Sequence, residues 1–277
     1  MLAEAAYGKS SVRLVKVSRH GDRHDLKDLT VAMRFEGDYA ESYTDGDNSG
    51  VLPTDTMKNT VYALAAQEAV DEPETFGLRL GRHFLERNPR LHRVRIDITE
   101  HAWSRIPVGG REHGQAFMRH AAAARTATVR SERTRHRIGA GITDLLIVKS
   151  SRSAFTGFLR DAYTTLPDTS DRLLATSMTA TWQYQDNDVE YGQSWHAVRT
   201  TLLEAFAEHD SKSVQHTIHA MGRAVLDSVE SISAIRLVMP NKHHLPFDLS
   251  RFGLENRNEI FVPTDEPYGL IEATLVR

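Results

Sequence analysis

Thr54-Asp-Thr-Met-Lys-Asn-Thr-Val-Tyr-Ala-Leu-Ala65 and, shortly after it, Thr75-Phe-Gly-Leu-Arg-Leu-Gly-Arg-His-Phe-Leu85 decide the fold class. Met57, Val61, Leu64 and Ala65 recur at helical spacing, as do Phe76, Leu80, Phe84 and Leu85, which predicts two amphipathic helices in succession. Thr54 or Asp55 caps the first, and Asn88-Pro89 stops the second. On the N-terminal side the period changes to alternation: Val12 and Leu14 are set among Arg13 and Lys16, and residues 29–35 alternate again, giving two strands joined by the polar segment 18–28. On the C-terminal side Val94, Ile96 and Ile98 alternate with charge, and 115–135 reads as a further strand, long and unusually polar. The first half is therefore expected to run ββααββ.

The second half repeats that order. Strands are expected at about 143–149 and 175–184, where Met178, Ala180 and Trp182 alternate, helices at about 194–208 and 213–230, and strands at about 232–239 and 259–276. A duplicated order points to two similar domains, 1–137 and 138–277, meeting near Arg137-Ile-Gly-Ala-Gly141. Each would be an α+β unit: a four-stranded antiparallel sheet with both helices on one face. Its other face and two edges would be left uncovered.

Composition narrows the function classes. With 277 residues, 40% of them apolar, the chain can bury one large core or two modest ones. A net charge of −3 gives no global basic field for nucleic acid, so an anionic ligand would need a local cationic pocket. The longest aliphatic run, Leu145-Leu-Ile-Val148, is too short to span a bilayer, and the N-terminus lacks the basic and apolar regions of a signal peptide. No cysteine is present, which removes disulfides, thiolate nucleophiles and thiolate metal sites. The pairs His20/His24 and His216/His219 lack a His-Glu-x-x-His frame, and Gly139-Ala-Gly141 is too short to hold a dinucleotide, so no metal or cofactor is expected.

The candidate site residues lie in six short stretches. Leu237-Val-Met-Pro-Asn-Lys-His-His244 runs an apolar strand into an amide, an ammonium and two imidazoles, and a strand end is a rigid place from which to aim polar groups. Arg172 offers a planar fork of donors and Gln215 an amide with donor and acceptor, which suits a flat heterocycle edged with carbonyls and N–H groups. The competing reading of Arg172 is a surface ion pair with Asp168 or Asp171. Val214 matters for a backbone N–H at the first turn of a helix, where an oxyanion can dock, although its side chain can equally pack the helix end. Phe155 could stack on a flat ring, or it and Phe158 could be core. Asn241 reads alternatively as a turn residue after Pro240, and Asp55 as a helix cap.

Taken in order, Tyr7-Gly-Lys9, Pro53-Thr-Asp-Thr-Met-Lys-Asn-Thr60, Phe155-Thr-Gly-Phe-Leu-Arg-Asp-Ala-Tyr-Thr-Thr-Leu166, Ser213-Val-Gln215 and the 237–244 stretch resemble the urate oxidase (uricase) family from end to end. The resemblance implies a tunnelling fold, in which two-domain subunits pair into a barrel and two barrels stack into a homotetramer with active sites at subunit interfaces. It implies cofactor-free oxidation of urate by O2 and water to 5-hydroxyisourate and hydrogen peroxide, in purine catabolism. Lys9 and Thr54, with His243, match the family's proton-handling triad; Asp55, Phe155, Arg172, Val214, Gln215 and Asn241 match its substrate-binding positions, with Asn241 and Thr54 holding water or dioxygen over the ring. His244 and Leu52-Pro53 depart from the family's pattern. The same fold hosts pterin and purine hydrolases and aldolases, and a non-catalytic purine-binding homologue is a third possibility. The Thr274-Leu-Val-Arg277 end differs from a peroxisomal address, so a cytoplasmic protein is expected.

Overall fold

The computed structural model describes residues 2–119 and 123–277. It is α+β with antiparallel strands. The chain packs as two units, Met1–Gly141 with Gln183–Gln193, and Ile142–Trp182 with Ser194–Arg277.

In the first unit, β1 (Tyr7–His20) and β2 (Arg23–Gly37) form a hairpin, followed by α1 (Ala40–Thr44), α2 (Thr54–Gln67), α3 (Pro73–Arg87) and β3 (Leu91–Glu100). A second hairpin, β4 (Trp103–Val108) and β5 (Arg111–Arg119), precedes β6 (Ala124–Ser131). The strand order is β1-β2-β3-β6. Period-2 alternation puts Val31, Met33 and Phe35 of β2 and Val94, Ile96 and Ile98 of β3 on one buried face. The apolar stripes of the helices, Met57 and Val61 on α2 and Phe76, Leu80 and Phe84 on α3, are buried as well, with α2 packed on β1 and α3 on β3 and β6. Each such side chain contributes about 1.5–3 kcal/mol, and Phe35 meets Phe84 edge-on at 4.8 Å. At the C-terminal end of α2, Lys16 Nζ donates to the carbonyls of Ala65 and Glu68 (2.6 and 2.5 Å), satisfying acceptors that the helix leaves over.

Two expectations are corrected here. Residues 115–135 do not form one strand: β5 ends at Arg119, residues 120–122 lie outside the described residues, and β6 ends at Ser131. The polar run belongs partly to the β4–β5 hairpin, whose turn is Gly109-Gly110, both at positive φ (59° and 79°) as such a tight turn demands. Nor does Thr54 or Asp55 cap α2. Pro53 holds the cap position, its ring fixing an extended entry, and Thr54 is the first helical residue.

β7 (His136–Lys149) begins in the first unit and continues in the second after Gly141. The second unit adds β8 (Leu174–Tyr184), α4 (Tyr191–Glu208, its first turn counted with the first unit), α5 (Val214–Ser228), β9 (Ile232–Pro246) and β10 (Phe261–Val276), with strand order β7-β8-β9-β10. Helix α5 packs on β9 and β10, and its Ile218, Met221 and Val225 are buried, as are Ile235, Leu237 and Met239 of β9. Arg277 donates to the carbonyls of Leu226, Val229 and Ile232, which ties the last strand to the end of α5. Among the described residues no helix is long and apolar enough to cross a membrane.

Candidate functional site

The candidate residues fall into two groups, one in each unit. In the first, the chain must bring Lys9 to the helix side of its sheet. Residues directly opposed across an antiparallel pair share a face, and Tyr7, Lys9, Val12 and Leu14 of β1 oppose Phe35, Met33, Val31 and Leu29 of β2. Those partners are the buried face. Strict alternation from Val12 would instead leave residue 9 on the far side; one extra residue between Lys9 and Val12, with Ser11 at φ 58°, makes a bulge that turns Lys9 towards the helices. Gly8 is required beside it, because a Cβ there would lie 1.9 Å from the carbonyl oxygen of Met33.

The start of α2 supplies Thr54 and Asp55. Tyr7 fixes the entry to this helix: its hydroxyl accepts the Leu52 N–H at 3.1 Å, and its ring stands edge-on to the buried Tyr39 at 5.0 Å. Burial raises the Tyr7 pKa, so it stays a neutral phenol. Asp55 accepts from Lys58 (2.6 Å) and Asn59 (2.9 Å). Lys58 above all, then Asn59 and the nearby Lys9, hold its carboxyl below the usual range. Thr54 is half-buried, and its hydroxyl carries no hydrogen bond among the described residues.

In the second unit, an irregular segment between β7 and β8 is knitted to the start of α5 by backbone bonds. Phe155 and Thr169 exchange N–H···O bonds (2.8 and 3.0 Å), Arg172 N donates to Ser153 O (2.8 Å), and Ala154 N donates to Ser211 O (2.8 Å). Asp171 braces the same segment by accepting from Ser151 Oγ and Ser153 N. Phe155, Arg172 and the Ser211–Gln215 corner are thereby brought together. The guanidinium of Arg172 lies 5.3 Å from the ring centroid of Phe155, which is stacked in turn on Phe158 at 4.8 Å. Both rings are half-exposed rather than core.

Arg172 is not the surface ion pair it was weighed against. Asp168 pairs with Arg160 at 3.1 Å, and Asp171 is taken by the two serines. Arg172 has no carboxylate partner among the described residues, its Nε is buried without a hydrogen bond, and burial pushes its pKa below the ordinary value. A desolvated guanidinium gains most from a planar anion that can take two parallel N–H bonds. Beside it, Ser213 caps α5 by accepting the His216 N–H (3.1 Å), so the N–H groups of Val214 and Gln215 in the first turn have no intrahelical acceptor. The Val214 side chain is buried, and the Gln215 side chain is exposed. On β9, Asn241 Nδ2 and His243 Nδ1 are 3.4 Å apart, two residues apart on one face, where β10 is irregular between Thr264 and Gly269.

Tyr7 as a brace, the bulge at Ser11 and the Asp171 brace were not read from the sequence, whereas the Ser213 cap has a sequence signal in a serine ahead of an apolar helix start. Among the described residues no group of three or more His, Asp or Glu side chains could hold a metal ion.

Comparison with known proteins bears on this arrangement. The family model described as Uricase matches residues 5–130 and 138–272. The chain belongs to the uricase family. It is 44% identical to the uricase of Arthrobacter globiformis over 277 residues, covering 100% of this chain and 90% of that one, and 38% identical to the uricase of Dictyostelium discoideum, covering 100% and 97%. The crystal structure of the Arthrobacter globiformis uricase superposes with a TM-score of 0.96, covering 100% of this chain and 95% of that one. A uricase from Bacillus fastidious, 24% identical, shares the fold at a TM-score of 0.84 over 98% of this chain and 93% of that one.

Proposed function

We propose that this uricase family member oxidises urate without a cofactor, using Lys9, Thr54 and His243 for proton handling and Asp55, Phe155, Arg172, Val214, Gln215 and Asn241 for binding. The activity itself follows from membership: the chain is a urate oxidase, an oxidoreductase of purine catabolism with dioxygen as acceptor. Urate, dioxygen and water give 5-hydroxyisourate and hydrogen peroxide, and the atoms balance with no external reductant. The observation that carries the binding half is Arg172, desolvated, without a carboxylate, and set against an aromatic face. A urate anion docked there takes the guanidinium fork on one edge, the Gln215 amide on another, the Val214 N–H on an oxygen and the Phe155 ring below.

Lys9, turned to the helix side and within electrostatic reach of Asp55, takes the second proton from the bound ring through the Thr54 hydroxyl, and His243 extends the relay. Asn241 and Thr54 hold dioxygen or water over the ring. The two groups meet across a subunit boundary, one chain supplying Lys9, Thr54 and Asp55 and its partner the rest, in a homotetramer of barrels built from tunnelling-fold domains 1–137 and 138–277. A cytoplasmic location belongs to the same proposal.

The test is loss of urate absorbance, with stoichiometric peroxide, by metal-stripped protein under air. No urate loss would remove the activity. Loss of activity on exhaustive chelation, restored by a metal, would remove the cofactor-free mechanism alone.

A further inference from the structure

The uncovered face of the first unit's sheet carries a charge arrangement that the urate site does not use. Arg34 of β2 lies directly opposite Arg95 of β3, and Arg95 directly opposite Arg130 of β6, so three guanidinium groups form a row across three strands. Like charges directly opposed on neighbouring strands destabilise a sheet. Arg93, Arg135 and Arg137 join them around a hollow of about 420 Å³, with Glu36 and Glu132 the two carboxylates in its lining. Those carboxylates are committed: Glu36 accepts from Arg93 at 2.7 Å and lies 3.4 Å from Arg34, and Glu132 lies 3.2 Å from Arg93. Arg95 is paired with Asp97 at 2.8 Å. Arg130, Arg135 and Arg137 have no carboxylate within ion-pair reach among the described residues.

We propose that this arginine row is a binding site for a polyphosphate, either inorganic pyrophosphate or the phosphate chain of a nucleotide. Strands lie about 4.8 Å apart, so the row spreads its donors over about 10 Å, a length that one small anion leaves partly unmet and a chain of phosphates follows. Guanidinium is the group suited to it, since its fork bonds two phosphate oxygens at once. The overall charge of the chain is negative, so the attraction is local to this face. All the groups belong to one unit of one chain, and the inference needs neither the mechanism nor the assembly proposed above.

The experiment is calorimetric titration of the purified oligomer with sodium pyrophosphate at ionic strength held constant with sodium chloride, with ATP titrated in parallel and no divalent metal present. Saturable binding near one equivalent per chain is expected, and the ATP arm separates free from nucleotide-borne phosphate by which of the two binds tighter. Arg95→Gln/Arg130→Gln should weaken binding at least tenfold while retaining urate turnover, and Arg251→Gln, an exposed arginine elsewhere, should leave it unchanged. Without pyrophosphate at low salt, the double variant should melt no lower than the parent, because a repulsion has been removed. A heat signal matched by chloride alone, full affinity in the double variant, or a double variant that melts well below the parent would each overturn the site. Should the double variant aggregate, Arg130→Lys serves instead: it keeps the charge and loses the fork, and undiminished pyrophosphate affinity in it would be equally fatal.

Discussion

The proposed assignment has Arg172 hold the substrate and Lys9 react with it, and their variants should separate accordingly. Arg172→Ala removes a charge-assisted bidentate contact and leaves ligand acceptors unpaired, so a planar urate analogue should bind about 2–4 kcal/mol more weakly. Arg172→Lys should recover little of that, since an ammonium cannot form the fork. Calorimetry with the analogue decides it, and unchanged affinity in Arg172→Ala would return the residue to the surface. Lys9→Met should instead leave analogue binding near the parent value and lower turnover by about 10²-fold or more, as loss of a general base does; steady-state kinetics with near-normal turnover would make Lys9 a bystander. Both were legible in the sequence as candidates, through the motifs around them. Their settings were not. That Arg172 lacks a counter-ion depends on where Arg160, Ser151 and Ser153 lead Asp168 and Asp171, and spacing along the chain does not encode that.

At the scale of elements, the β4–β5 hairpin is the piece the sequence concealed. Its strands are short and polar, so alternation is faint, and the end of β5 was read into the strand expected at 115–135 while the turn signal Gly109-Gly110 ahead of it was passed over. Polar contacts attach it to the first unit's sheet. Arg105 donates to the carboxylate of Asp25 (2.7 Å), Trp103 Nε1 donates to the buried Asp28 (2.9 Å), and Arg119 donates to His101 Nδ1 (3.0 Å) while His101 Nε2 bonds Thr30 Oγ1 (2.9 Å). An imidazole nitrogen that accepts from a guanidinium is unprotonated, and burial, then the charge of Arg13, lower the His101 pKa. The unfolded histidine takes its proton near the ordinary value of about 6.5, above the folded one, so the unfolded state binds more protons between the two. The attachment is therefore fully stabilising above that ordinary value and weakens as pH falls through the lowered one. Amide exchange across 103–119, corrected for intrinsic rates, should accelerate on acidification before the core of the sheet does. His101→Gln should flatten the dependence. Exchange independent of pH in the parent would show that the imidazole plays no part in the attachment.

At the scale of the whole molecule, the doubled order of strands and helices was readable because each apolar period is long. The division of the site between chains is proposed from family resemblance alone, since no local pattern says which chain completes which pocket. The proposal that Thr54 and Arg172 of one site come from different chains has a direct consequence. When Thr54→Ala and Arg172→Ala chains are co-expressed, random twofold pairing leaves about a quarter of sites with both residues intact. Mixed oligomers, verified by a tag on one parent, should show about that fraction of normal urate turnover although each parent alone is nearly inactive. Verified mixtures no more active than their parents would mean that each site is built within one chain.

The bulge before Val12 is surplus length that can be removed without changing which way the residues ahead of it face. Deleting Ser11 would restore even counting along β1, remove a non-glycine residue from the left-handed region, and give the hairpin an unbroken ladder with β2. On purely local grounds the shortened chain should melt at or above the temperature of the parent. Counting along both strands then agrees: Ser10 falls opposite Ala32, while Lys9 keeps its place opposite Met33 on the helix side and Gly8 stays opposite Arg34. The expected product is a sturdier protein whose lysine still faces the helices and whose urate turnover stays well above that of Lys9→Met; turnover as low as in Lys9→Met would mean that the surplus residue itself aims the ammonium.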